Sequence, residues 1–171
     1  MEKEIVMRII DGMLGEYEHE CGTTRKLLAL VPEKEFNFKP HPKSMTLGIL
    51  AGHLAENPAW VEVTLKQDVL DMDPSQYKPF DPKSVKELLE TFDKNVAHAR
   101  EVMNGASDGD LMKPWTMMNR GTPMFTMPKV AILRSFIFSH TIHHRGQLSV
   151  YLRMKDVKLP SIYGPTADVP M

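Results

Sequence analysis

The sequence predicts an all-α fold, a four-helix bundle with long connections. Three observations carry this expectation: four long segments place apolar residues at helical intervals, polar proline-rich stretches separate them, and almost nothing alternates with the two-residue period of a strand. At 171 residues the chain has the size of one domain and can close a core without staples, so residues 1–171 are read as a single domain.

The first helix is expected from Lys3 to Leu30, where Ile5, Ile9, Met13, Tyr17, Leu27 and Leu28 recur at helical spacing. Gly12, Gly15 and Gly22 each weaken it by about 1 kcal/mol relative to alanine. The following stretch, VPEKEFNFKPHPKSMT, holds Pro32, Pro40 and Pro42 without a sustained period and reads as a connection. A second helix starts near Ser44 or Thr46 and runs to about Lys66, with Leu47, Leu50, Ala51, Leu54, Val61 and Leu65 as its buried stripe. Pro58 lacks a backbone donor and should kink it, and His53 lies at the border of the stripe.

The stretch LDMDPSQYKPFDP, with Pro74, Pro79 and Pro82, reads as a second irregular connection. Asp81-Pro82 offers a capping side chain followed by proline, so the third helix is expected from Pro82 to about Met103, ending in the breaker NGASDGD. Its stripe is Val85, Leu88, Leu89, Phe92, Val96 and Val102. Leu111 to Phe125, with Trp115, Asn119-Arg120-Gly121 and Pro123, suits either a short hairpin before helix four or an irregular lid.

The fourth helix, Lys129 to Lys155, is read as one continuous element: Pro128 fits its first turn, Thr126 is a candidate cap, and no further proline comes before Pro160. Leu133, Ile137, Leu148 and Tyr151 mark its apolar face, with His140 and His144 on or beside it. The tail KLPSIYGPTADVPM cannot continue it. Two of the three connections exceed the roughly 2–8 residues usual between antiparallel neighbours, which leaves crossover and up-and-down arrangements both open.

Composition narrows the function. With 21 Lys+Arg against 22 Asp+Glu the net charge is −1, which gives no electrostatic footprint for nucleic acid or an anionic membrane. Cys21 is the single cysteine, so an intramolecular disulfide is excluded and a reducing cytoplasm is the expected compartment. The beginning of the chain lacks a basic region followed by a long apolar run, and no apolar segment approaches the roughly 20 residues that span a bilayer.

The chemistry rests on His53, His140 and His144. Histidines four apart on a helix share a face at a spacing suited to two ligands on one ion, and a third imidazole from another helix completes an open N3 set. Such a set leaves room for water or substrate and suits zinc, nickel, iron or manganese equally. His143 points about 100° away from His144 and is read as a neighbour of the site or an interface residue. His19, His41 and His98 lie in polar contexts and read as solvated, and Cys21 as a small buried hydrophobe. Among the 13 methionines, Met112, Met117, Met118, Met124 and Met127 suit core packing or an adaptable apolar pocket beside the site.

The run His140-Thr141-Ile142-His143-His144-Arg145-Gly146-Gln147 resembles the HxxxHRGQ signature of the DinB family of damage-inducible-like proteins. Leu50-Ala51-Gly52-His53-Leu54 is similar to that family's second-helix histidine segment, and Pro160 to Asp168 to the ending of many members. The resemblance implies a DinB-like four-helix bundle in up-down-down-up order, commonly a homodimer, with a divalent metal held by His53, His140 and His144. Better-characterised relatives are thiol-dependent transferases or isomerases.

Two readings of different classes follow. One is a metal-dependent enzyme that transfers a low-molecular-weight thiol to an electrophile; the other is a non-catalytic, metal-containing dimeric bundle. A metal-dependent hydrolase is a third, set back by the lack of an obvious carboxylate base such as the Glu of HExxH. Ile132, Phe136 and Phe138 would give the bundle an apolar reason to dimerise unless they belong to its core.

Overall fold

The computed structural model describes residues 7–170. The expected helix start at Lys3 and its stripe residue Ile5 lie outside them. Helix α1 (Ile9–Leu28) buries Ile10, Met13, Tyr17, Cys21, Leu27 and Leu28, the repeat that the sequence shows. Its three glycines all face outward with open space around them.

The connection that follows organises the start of the next helix. Helix α2 (Leu47–Glu56) would begin with unpaired N–H groups. The Leu47 N–H donates to the Phe38 carbonyl at 2.8 Å, Gly48 to Phe36 at 2.9 Å, and Ile49 to the Thr46 hydroxyl at 3.2 Å. At Pro58 the helix passes through a 3-10 turn, Asn57–Ala59, and resumes as α3 (Trp60–Lys66). The C-terminal carbonyls of α3 find side-chain donors: Trp115 Nε1 reaches Val63 O at 3.2 Å, and the buried Lys129 ammonium reaches Leu65 O at 3.1 Å and Asp68 at 2.8 Å.

Helix α4 (Val85–Asn104) starts three residues later than Asp81-Pro82 suggests. Ser84 caps it by accepting from the Glu87 N–H at 3.1 Å. Pro82 cannot serve as its first residue because the segment before the helix is pinned elsewhere: a Cβ on Gly52 would lie 2.2 Å from the Phe80 carbonyl oxygen and 3.0 Å from Pro82 Cδ. Only glycine permits this approach. A short helix α5 (Asp108–Leu111) follows, capped by Ser107.

The expectation of an all-α bundle is overturned by a three-stranded mixed sheet. β1 (Val69–Met72) lies parallel to β2 (Pro114–Asn119), which pairs antiparallel with β3 (Thr122–Pro128). β1 overlaps the start of the stretch read as irregular, which begins at Leu70. It has four residues, none of them buried, so it carries no apolar run, and its partner is distant in sequence: Val69 pairs with Thr116. β2 and β3 meet at a two-residue turn with φ of 49° at Arg120 and 77° at Gly121, the backbone of a type I′ hairpin. The Asp71 carboxylate accepts from the Gly121 N–H at 2.9 Å, and Arg120 pairs with Asp73 at 2.8 Å, so β1 holds the hairpin tip. Fully buried Trp115 roots the sheet in the helical layer, while Phe125 stacks on Phe136 with centroids 5.4 Å apart.

The last long element is not a single α-helix. α6 (Lys129–Ile132) runs into a π-helical segment, Leu133–Ser139, and then into α7 (His140–Met154). Pro128 is the final residue of β3, and Thr126, read as a cap, bonds across the hairpin to the Thr116 hydroxyl at 2.8 Å. Ile132 and Phe138 are buried within the chain, so they belong to its core, and Phe136 is half-buried. Met112 and Met124 are exposed, and Met117, Met118 and Met127 are half-buried on the sheet, so these methionines do not pack the core; Met117, Met118 and Met124 instead line a hollow on the sheet beside Met72.

α4 packs on both α1 and α2, and α7 packs on the same two helices from the other side. Ion pairs Arg100–Glu18 and Arg25–Asp93 run antiparallel between α1 and α4, whereas Arg134–Glu16 and Arg145–Glu20 join α1 to the last long element in the same sense. Asn95–Ala55 and His98–Glu62 join α4 to the α2–α3 helix in the same sense, and such parallel neighbours need a long connection, which the 67–84 segment supplies. No helix of the described residues is long and apolar enough to cross a membrane.

The two kinds of glycine should respond oppositely to alanine. Gly52→Ala is expected to destabilise by about 1–3 kcal/mol through overpacking, and Gly12→Ala to stabilise by about 0.5–1 kcal/mol, both read from urea midpoints.

Candidate metal centre

α2 carries His53, and the first two turns of α7 carry His140 and His144. Their rings meet edge to face with centroids 4.4–4.9 Å apart, and one nitrogen from each lies within 4.8 Å of the other two. His53 Nε2 stands 2.7 Å from His140 Nε2. His144 is buried and the other two are half-buried.

Neighbouring side chains set these rings. The Gln147 carbonyl oxygen can only accept, so the 2.8 Å bond from His144 Nδ1 fixes the proton on Nδ1 and leaves the Nε2 lone pair free. Gln147 Nε2 in turn reaches His143 at 3.1 Å, which places the exposed His143 behind the site. Buried Asn57 donates to the Ile137 carbonyl at 3.0 Å and to the Thr141 hydroxyl at 2.6 Å, tying the 3-10 turn after His53 to both sides of His140. Sequence reasoning missed Asn57, because Asn-Pro there looked only like a helix interruption.

Arg145 turns away from the imidazoles. It is 1% exposed, pairs with Glu20 at 2.6 Å, and donates to the Glu20 carbonyl at 3.1 Å and to the Tyr163 hydroxyl. Tyr163 OH bonds the Glu20 carboxylate at 2.7 Å, so the tail closes this buried network. Cys21 is buried, and burial pushes its thiol up to about 12, so it is no nucleophile. His98 is exposed beside Glu62, and His19 and His41 are exposed as well.

The electrostatics favour neutral imidazoles. Burial, reinforced by His144, pushes His53 down to about 4; burial with the neighbouring histidines does the same to His140. His144 is lowered too, by burial first, with the Gln147 bond opposing. Three converging neutral imidazoles form a donor set that can hold a divalent ion, and nothing in it distinguishes zinc, nickel, iron and manganese.

The site opens on one side. A cleft of about 210 Å³ has His53 and His140 in its wall with Trp60, Met72, Tyr77 and Phe136. A second opening shares His53, Trp60 and Tyr77 and reaches Glu56, whose carboxylate accepts from Tyr77 OH at 3.1 Å and from the Phe80 N–H at 3.2 Å. Glu56 sits three residues after His53, a spacing the sequence displays, but its role as cleft wall depends on the path of the 73–82 segment.

The family model described as the DinB superfamily matches residues 16–148, a span that includes all three histidines. The chain belongs to the DinB superfamily. The uncharacterized protein YrdA of Bacillus subtilis (strain 168) is 24% identical over 164 residues, covering 95% of this chain and 93% of YrdA. A DinB-like protein from Bacillus cereus ATCC 10987 has a TM-score of 0.68 at 24% identity, covering 90% of this chain and 97% of its own. The DinB-like protein YjoA from B. subtilis has a TM-score of 0.67 at 18% identity, covering 88% and 96%. These structures share this DinB protein's fold.

If the three imidazoles are ligands, His53→Ala, His140→Ala and His144→Ala should each strip metal from the purified protein while His98→Ala does not, as elemental analysis will show. Gln147→Ala should weaken metal affinity by about 10–100-fold through loss of the Nδ1 partner. Stoichiometric metal in all three histidine variants would refute the assignment. In metal-free protein the pH dependence has a definite sign. An unfolded histidine titrates near 6.5 and the folded His53 and His140 near 4, so the unfolded state binds more protons between those values. Stability should be full above about pH 6.5 and fall as pH drops towards 4, and the doubly substituted His53→Gln, His140→Gln protein should show a flatter urea-midpoint profile.

Proposed function

We propose that this DinB protein holds a divalent metal at His53, His140 and His144 and uses the site as an enzyme that transfers a low-molecular-weight thiol to an electrophile. The observation that carries it is the convergence of three neutral imidazoles beside an open cleft rather than inside a closed core. A closed structural site would use four protein ligands; three with an open side leave a place for a reactant. A divalent ion there supplies a lowered pKa to a thiol or water that reaches it.

The chain's own residues do the rest. Gln147 fixes the His144 tautomer, Asn57 holds the two histidine-bearing segments in register, and Trp60 and Phe136 exclude water from one wall. In the transfer, the thiol gives up its proton, a sulfur–carbon bond forms, and the carbon–halogen bond of the acceptor breaks to release halide.

Glu56 favours a second reading. A carboxylate in the same opening as His53 could accept a proton from water, which suits a hydrolase.

Metal-loaded protein incubated with a thiol and a chlorinated aromatic acceptor should consume free thiol and release chloride in equal amounts, and His144→Ala should abolish this. Ester hydrolysis without thiol consumption, lost in Glu56→Gln, would establish the second reading instead. Metal bound with neither activity would leave a non-catalytic metal protein.

A further inference from the structure

The walls of the cleft specify what can enter it. Trp60, Phe136, Met72 and Tyr77 make them largely apolar and aromatic. Among the described residues neither opening is lined by a lysine or arginine, and the one carboxylate present is Glu56. A carboxylate- or sulfonate-bearing tail lying along these walls would therefore lose its water without gaining a side-chain cation and would approach a like charge. An apolar cavity of about 150 Å³ accepts benzene, so 210 Å³ takes one ring with a short linker. The stacked pair Phe125–Phe136 backs this wall from the sheet, with ring planes 13° apart, and holds the Phe136 face as a flat surface against which a second ring can lie.

We infer that the ligand of this cleft carries an uncharged, single-ring tail, with its donor atom directed at His53 and His140, and that molecules with anionic tails are rejected. This inference rests on the proposed metal site. Met72 decides the charge preference by position. It ends β1, is half-buried, and is the side chain that the sheet contributes to the cleft, so a cation placed there would face the ligand's tail.

Cobalt-loaded full-length protein, titrated with two thiols that differ in their tails, tests this. Benzyl mercaptan should bind at least tenfold more tightly than 2-mercaptoethanesulfonate, read from the sulfur-to-metal absorption band and from a tryptophan fluorescence change that is absent in Trp60→Phe. Phe136→Ala should weaken the benzyl compound alone, and Met72→Lys should narrow the preference at least tenfold. Azide serves as the control for an open metal position. If azide binds and the sulfonate thiol binds as well as the benzyl thiol, the inference is overturned while the metal reading stands. If neither azide nor either thiol alters the cobalt spectrum, it is the metal reading that fails. The cleft is then judged in metal-free protein, where benzyl alcohol should still change Trp60 fluorescence, and no change overturns the inference as well.

Discussion

The buried ion pair between Arg145 and Glu20 sets the rotation of α7, and the histidine cluster depends on that rotation. Both side chains are nearly inaccessible, 1% and 8% exposed, and breaking such a pair leaves a stranded charge at a cost of about 3–5 kcal/mol. Successive helical residues point about 100° apart. With Arg145 committed to α1, His144 is turned towards α2, where His53 waits. Thr24 and Tyr163 accept further N–H groups of the guanidinium, so the pair is held in place by α1 on one side and by the tail on the other. The adjacency of His and Arg in the sequence is thus a statement about two neighbouring helices.

Rotation alone does not bring His140 to His53. The π-helical segment Leu133–Ser139 ends immediately before His140, and a π turn resets the phase of everything beyond it. Leu133, Ile137 and Phe138 stay buried on one side of this change and His144, Leu148 and Leu152 on the other. Asn57 spans the place where the phase shifts, bonding Ile137 O and Thr141 Oγ1. Pro58, next to it, stops α2 from continuing and so lets Asn57 reach across. A helix break and a helix bulge face each other, and the imidazoles converge beside them.

The helices were legible because a 3.6-residue period over twenty residues is a strong local signal, and His140 and His144 because their spacing is itself that period. His53 was a border residue, offered as the third imidazole because it lies on another helix, and the resemblance then implied the same role. The sheet was hidden for the opposite reason. β1 is only Val69–Met72, and its pairing with Thr116–Asn119 joins segments far apart in the chain. Local pattern cannot show such a partner. The helix start at Ser84 was misread as Asp81-Pro82 because the contact that forbids it, the Phe80 carbonyl against Gly52, is again non-local. Glu56 and Tyr77 share this blindness: each is ordinary in sequence, and only the path of the second connection brings them to one wall.

The arrangement of the three rings contains its own argument for a ligand. Two neutral imidazole lone pairs 2.7 Å apart repel unless something positive lies between them. A single proton can bridge His53 and His140, and Gln147 holds the His144 proton on Nδ1, which leaves the His144 Nε2 lone pair free to accept. Protonating all three would satisfy none, because burial and mutual repulsion already hold two of them down to about 4. One cation could take the place of the bridging proton and use all three lone pairs at a single point. The same helix rotation that protects Arg145 from water therefore gathers, at the mouth of an apolar cleft, three imidazole nitrogens that could hold one cation.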